Sequence, residues 1–335
     1  MSPIEPIRQI ADAVLYEGYI LWPYRRSATK NAKRWTFGGV FPRAHSEAHP
    51  DDPWVRQTQC LIEGVEPTLT VRPRFLQIVE RRVAELRGDR LEEVDELVVG
   101  GERHLSWEEA RERELVESGL ALGALRKGRA LAIDLPGGTE TEEVLAPDGS
   151  VAGAIVREHE ELRGTVELAA ESLEPGLHRL TVRVANETPW AGGERDAVLR
   201  HSFCSTHVAL SVEDGAFVSL TDPPPELAEA AEGCRNEGAW PVLVGEPGDR
   251  RTMLSAPIIL EDYPRVAPES PGDFFDGGEI DQLLVLNILS LTDAEKEEMR
   301  ASDPRAREIL ERTERMSPEE LMRLHGAIRE LEVVR

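Results

Sequence analysis

Between residues 57 and 260 apolar residues return at every second position in short runs, and most of these runs are separated by turn clusters. Side chains of a strand point alternately to its two faces, so runs of this kind make half-buried strands. Leu180, Val182 and Val184, with Thr181 and Arg183 between them, form the clearest, ending at the turn cluster Asn186-Glu187-Thr188-Pro189. Leu162, Gly164, Val166 and Leu168 alternate in the same way. Leu69, Val71 and Phe75 do so around Pro73, which cannot donate a ladder hydrogen bond and therefore predicts an edge or a bulge. Residues 197–212 read as another long strand, and the apolar runs 241–245 and 257–260 fit short buried strands. Residues 136–150, with Pro136-Gly137-Gly138 and Pro147-Asp148-Gly149, read as a loop or a small boundary. With no regular alternation of strand and helix, the pattern predicts antiparallel sheets in a sandwich-like body rather than a doubly wound parallel sheet.

Helical spacing marks the two ends of the chain. Ile4, Ile7, Ala11, Val14 and Leu15 predict an amphipathic helix with Pro6 in its first turn, where proline is tolerated. Two interruptions of the β region also read as helical: 107–118 behind the capping-box pattern Ser106-Trp107-Glu108-Glu109, and the Ala- and Glu-rich segment 227–234. Pro264, Pro268 and Pro271-Gly272 make a linker. Beyond it Ile280, Leu283, Leu284 and Asn287 share one helical stripe. Thr292 with Glu295, Asp303-Pro304 and Ser317-Pro318-Glu319-Glu320 are three helix starts. After the last of them Leu321, Leu324, Ile328 and Leu331 repeat at helical spacing. The expected class is α+β: a β-rich body over 1–263 with an N-terminal helix and an aromatic–basic segment, a Pro-rich linker at 264–271, and an all-helical unit over 272–335. That last unit is too small to bury much alone, so it should pack on the body or on another protein.

The formal net charge of −24 excludes a general nucleic-acid binder and a protein drawn to anionic membrane surfaces, since both need clustered Lys and Arg. No apolar run approaches the roughly 18 residues of a membrane span, and residues 1–5 do not read as a signal peptide, so the expected location is the cytoplasm. Cys60, Cys204 and Cys234 are odd in number and widely spaced, as befits reduced thiols. Oligomeric state leaves no mark.

Against this acidic background, Tyr16, Tyr19, Trp22, Tyr24, Trp35 and Phe37 crowd together with Arg25, Arg26, Lys30, Lys33 and Arg34, a segment that holds two of the chain's four lysines. Trp35, Phe37 and Phe41 alternate as a strand would, interrupted by Gly38-Gly39. Tyr, Trp and Arg bury large area at small entropic cost, which makes Tyr19, Trp22, Tyr24, Arg25, Arg26 and Trp35 candidates for a partner-docking surface. The competing reading puts the rings in the core. Phe274 and Phe275, set between Asp273 and Asp276, either anchor a partner or staple the helical unit to the body. His201, Cys204 and His207 form H-x2-C-x2-H, three metal-capable side chains, but a strand points 204 away from 201 and 207. His45 and His49 have i, i+4 spacing beside Asp51 and Asp52, yet Pro50 and Pro53 argue for a solvated loop. No nucleophile elbow, P-loop or dinucleotide fingerprint is present, and no cofactor is expected.

Leu15-Tyr16-Glu17-Gly18-Tyr19 through Tyr24-Arg25, Ser27, Lys30-Asn31 and Phe37-Gly38 to Pro42 resembles an uncharacterised bacterial, actinobacterial-type family. So do Trp240-Pro241-Val242-Leu243-Val244-Gly245, Phe275-Asp276-Gly277, Glu279-Ile280-Asp281, Leu291-Thr292-Asp293 and Arg323-Leu324-His325-Gly326; residues 85–160 do not share in it. Such proteins are found near gene clusters for uptake nickel–iron hydrogenases, and the resemblance implies no catalytic residues. It implies an accessory role, with hydrogenase subunits or maturation factors as partners. The expected function is a non-catalytic cytoplasmic binding and assembly protein. The alternative is a metal-dependent enzyme or a metallochaperone that uses His201, Cys204 and His207.

Overall fold

A computed structural model describes residues 5–25, 27, 28, 31, 37–265, 274 and 281–323. Its body is built from two antiparallel sheets. The first holds five strands in the order β14 (Ala216–Phe217), β1 (Val55–Glu63), β12 (Leu177–Asn186), β11 (Leu162–Glu174) and β8 (Arg129–Leu135). The second runs β15 (Trp240–Leu243), β16 (Thr252–Ala256), β13 (Cys204–Glu213), β2 (Thr68–Arg87), β10 (Val151–His159) and β9 (Gly138–Leu145). In it, β3 (Arg90–Val94), β6 (Trp107–Glu114) and β7 (Glu117–Ala121) also pair with β2. A hairpin of β4 (Glu96–Val99) and β5 (Glu102–Leu105) completes the strands of the described residues.

The 20-residue β2 is the spine. Its first half carries Leu69, Val71 and Phe75 inward. With Val208, Leu210 and Val212 of β13 they meet Cys60 and Ile62 of β1, Val166 and Leu168 of β11, and Leu180, Val182 and Val184 of β12 in one apolar cluster. This is a sandwich core, with the Phe75 and Phe203 rings stacked 4.5 Å apart at its centre. Pro73 sits in mid-sheet, opposite Val208. Its carbonyl accepts from Leu115 N, so its nitrogen points to that same side, where the partner of β2 changes from β7 to β6. The break between those two strands leaves no ladder bond for the proline to miss, so Pro73 is accommodated without the edge position or bulge expected from the sequence.

The helices cover the sheets. Helix α1 (Glu5–Tyr16) crosses β13 and β16 on the outer face of the second sheet, with Ala11 and Val14 against Ala209, Leu254 and Ala256. Three short helices follow in the middle of the chain: α2 (Arg43–Ala48), α3 (Arg195–Leu199) and α4 (Ala228–Glu232). The last of these packs Ala231 on Leu61 and Leu177 of the first sheet. At the C-terminal end come α5 (Asp281–Leu289), α6 (Asp293–Ser302), α7 (Pro304–Glu314) and α8 (Pro318–Arg323). The expected α+β class, mostly antiparallel and helical at its end, is what the structure has. The helix starts read from sequence are present as well. Thr292 and Glu295 close a reciprocal capping box, Asp303 accepts from Arg305 N ahead of Pro304, and Ser317 accepts from Glu320 N.

Several local expectations are corrected. Residues 107–114 are strand β6, not a helix: the Ser106 hydroxyl accepts from Val83 N and donates to Val94 O, tying strands together instead of capping a turn. The stretch Glu108 to Glu114 alternates along β2, whose long edge outweighs helix propensity. Residues 138–145 are β9, paired along β10, where a loop was expected. The stretch 197–212 is divided: α3 ends at Leu199, and the strand begins at Cys204. Residues 257–260 lie outside any strand, and Ile259 is exposed. Phe37 and Gly38 form a turn, and Val40 contributes only a single bridge, to Phe203. A helix does form at 43–48 despite the neighbouring prolines, because Pro42 precedes its first turn and Pro50 follows its end. On α5 the inward stripe is Leu284, Val285 and Ile288, leaving Leu283 and Asn287 exposed; Ile280 and most of the 264–271 linker lie outside the described residues.

Candidate functional site

The chemistry of the molecule concentrates where α1 roofs the outer face of the second sheet. Residues directly opposite in antiparallel strands share a face, so Arg72 and Arg74 of β2, His207 and Ala209 of β13, and Glu112 and Glu114 of β6 all point the same way. Arg74 is buried and holds Asp12 of α1 at 2.6 Å and Glu112 at 3.4 Å. Glu112 accepts from the Tyr16 hydroxyl at 2.7 Å and from Arg305 of α7 at 3.0 Å, while the Arg305 guanidinium lies 3.4 Å from the centre of the Tyr16 ring. One carboxylate thus joins the N-terminal helix, the sheet and a C-terminal helix.

The electrostatics follow from this packing. Burial would raise the Glu112 carboxyl, but the Tyr16 hydrogen bond with Arg305 and Arg74 outweighs it and holds the group below its ordinary value. Burial pushes Tyr16 far above the ordinary phenol value, against the pull of Arg305 and with the help of Glu112, so this hydroxyl stays protonated and serves as a donor. His207 is pushed down to about 4, first by burial and then by Arg74. Its Nδ1 lies 3.1 Å from the Ser205 carbonyl. A carbonyl only accepts, so the neutral ring carries its hydrogen on Nδ1. Its buried Nε2 is then a lone-pair acceptor without a partner among the described residues.

The H-x2-C-x2-H residues are not brought together. His201 lies in the turn after α3 with its ring 5.1 Å from that of Trp190. The Cys204 thiol is buried 3.9 Å from the Leu199 carbonyl, and His207 belongs to the cluster under α1. The strand is irregular between Cys204 and His207, with Ser205 at φ +51°. Among the described residues no three His, Cys, Asp or Glu side chains converge in a way that could hold a metal ion. His45 and His49 do stack, with ring centres 4.4 Å apart, but His45 is buried against Asp52 at 3.0 Å. Asp52 also takes both guanidinium nitrogens of Arg195, so this group ties α2 to α3. Burial would raise Asp52, yet the hydrogen bonds from His45 and Arg195 keep it below the usual carboxylate range. The sequence reading of a solvated loop is corrected here: the histidine is a buried strut.

The docking candidates divide. Tyr19 and Tyr24 are buried in one cluster with Leu15, Ile20, Leu76, Phe274, Leu284, Val285, Ile288 and Ile309. The Tyr19 hydroxyl donates to the Glu108 carbonyl at 3.2 Å, and that of Tyr24 to the Phe274 carbonyl at 2.7 Å. In this conformation Tyr19, Tyr24 and Phe274 offer no free surface; they join the C-terminal helices to the body, as the core and staple readings have it. Trp22 is half-buried at the margin of the same cluster, and Arg25 reaches Glu295 of α6 at 2.9 Å. Arg26, Trp35 and Phe275 lie outside the described residues. Sequence reasoning missed the whole cluster of Asp12, Tyr16, Arg74, Glu112 and Arg305. The signal for it was the alternation of charge along 108–114, which is legible only if that segment is a strand.

No family model matches the chain, and no curated protein matches it. No helix among the described residues is long and apolar enough to cross a membrane.

Proposed function

We propose that this chain is a non-catalytic binding and assembly protein that offers its C-terminal helices to a protein partner. One observation carries the reading: α5 shows leucines on its outward side as well as its inward one. Leu284, Val285 and Ile288 are buried in the body, while Leu283 and Leu286 on the outward side are about half exposed, at 49% and 50%. Beside Asn287, these two leucines put an apolar pair on a side of the helix that is ordinarily polar. The exposed leucines lie next in sequence to α6, whose first turn carries Asp293 and Glu295, in a chain of net charge −24. The partner that fits is a protein with an apolar helix or groove rimmed by Lys and Arg. The resemblance of the sequence supplies the class of partner, hydrogenase subunits or maturation factors; the setting expected from the N-terminal residues and the cysteines is the cytoplasm.

The test is capture of those named partners by the tagged full-length chain from its own host, beside a Leu283→Glu, Leu286→Glu variant. Both positions are exposed, so the variant should melt within a few degrees of the wild type. Retrieval of hydrogenase components by the wild type and their loss in the variant is the expected outcome. Equal retrieval by both, or none by either, would sink the proposal.

A further inference from the structure

We propose that the cavity between α1 and the outer face of the second sheet is a binding site for a small oxyanion, a carboxylate or a phosphate. The cavity measures about 240 Å³ and is lined by Arg8, Arg72, Arg74, Glu112 and Glu114, with Ala11 and Ala209 as its small apolar wall. Drug-sized ligands occupy roughly 300–1,000 Å³, so this space suits a small metabolite or an inorganic ion.

The charges that line it are not all engaged. Arg74 is held by Asp12, and Glu112 by Tyr16 and Arg305. What remains is Arg8, Arg72 and Glu114. Glu114 lies 3.8 Å from Arg72 and 4.0 Å from Arg74, both beyond hydrogen-bond distance. Arg8 is exposed on α1 and has no ion pair or hydrogen bond among the described residues. Two guanidinium groups therefore face one loosely paired carboxylate, a local excess of positive charge in a chain of net charge −24. The planar fork of a guanidinium matches the paired oxygens of carboxylate and phosphate. An oxyanion between Arg8 and Arg72 answers that excess of charge. Glu114 then acts as an internal competitor for the same cations, and it is exposed enough, at 42% of its side chain, to turn aside.

The competitor gives the test its direction. Calorimetric titration of the full-length chain with inorganic phosphate, and separately with succinate, is run at pH 7.5 and constant chloride ionic strength. Saturable binding of at least one probe is expected; phosphate alone or succinate alone would settle which source of oxygens the site takes. Arg8→Gln and Arg72→Gln should each weaken binding by roughly tenfold or more, the worth of a charge-assisted hydrogen bond. Glu114→Gln should tighten it several-fold, which a merely structural role would not do. Because Arg8 is exposed and unpaired, its variant keeps the test valid even if Arg72→Gln lowers stability. The proposal is overturned if neither probe binds, if Arg8→Gln binds as the wild type does, or if Glu114→Gln binds more weakly.

Discussion

Replacing Glu112 by glutamine keeps the shape of the side chain and removes its charge, and it should lower folding stability by about 1.5 kcal/mol at neutral pH. The figure is built from its contacts. The carboxylate accepts from Tyr16 at 2.7 Å and Arg305 at 3.0 Å; Arg74, at 3.4 Å, has Asp12 as a better partner. Hydrogen bonds to a charged group contribute roughly 1.5–3 kcal/mol and neutral ones about 1, so glutamine keeps the Tyr16 bond at reduced strength and loses most of the pairing with Arg305. Two reductions of about 1 kcal/mol each are then discounted, because the side chain is 42% exposed and solvent screens it. The assay is urea unfolding at pH 7 and again at intervals down to about pH 3. The folded-state pKa of Glu112 is depressed, so its contribution is present above the unfolded value, about 4.5, and is lost as the pH falls through the folded value. The wild type should therefore converge on the variant as the medium is acidified below about 4.5. A loss under about 0.5 kcal/mol at pH 7, or a gap that stays constant with acidification, would refute the claim that this carboxylate joins three elements through its charge.

Phe203→Ala removes a fully buried ring stacked on Phe75 in the sandwich core and should lower stability by about 3–5 kcal/mol in urea unfolding. Thr292→Ala deletes the side-chain half of the capping box at the start of α6, while the backbone N–H of residue 292 can still donate to Glu295, and should lower stability by about 1 kcal/mol, with a matching small loss of helical circular dichroism. His207 is depressed from 6.5 to about 4, so between those values the unfolded chain binds a proton that the folded chain refuses. Stability is thus full above about 6.5 and falls on acidification toward 4, and His207→Gln should reduce the slope by up to about 1.4 kcal/mol per pH unit. A slope between pH 6.5 and 5 that is the same in both proteins would mean that His207 titrates normally.

The legibility of this fold depended on whether a local pattern had a competitor. Leu180, Val182 and Val184 alternate with polar residues and could only be a strand. The caps at Thr292, Asp303 and Ser317 satisfy backbone groups within their own turn, so nothing distant could override them. The stretch 107–114 carried a capping-box signature as convincing as theirs. It lost because β2 runs for 20 residues and needs partners along both edges, a demand that no window of local sequence contains. The error had a consequence for the site. Read as a helix, Glu108 to Glu114 is a charged surface; read as a strand, it places Glu112 and Glu114 on one face beside Arg74. The aromatic segment was ambiguous for a different reason. Tyr and Trp are as common in a covered core margin as in a docking surface, and what covers Tyr19 and Tyr24 comes from some 250 residues further on, as the Tyr24–Phe274 bond shows.

That long-range closure also bears on where a partner can act. The inward face of α5 lies in one apolar cluster with Tyr16 and Tyr19, and Arg305 of the neighbouring helix grips the Glu112 that Tyr16 also holds. Removing the C-terminal helices would therefore strip the cover from Leu76 and Ile78 and release one of the three partners of Glu112. Loss of partner capture on such a truncation would not separate a missing docking face from a damaged body. Substitution at Leu283 and Leu286 does separate them, because both side chains stand on the side of α5 that the body leaves uncovered. The proposed oxyanion cavity borders the same junction. Arg8 lines it from α1, and α1 is joined through Tyr16, Glu112 and Arg305 to α7.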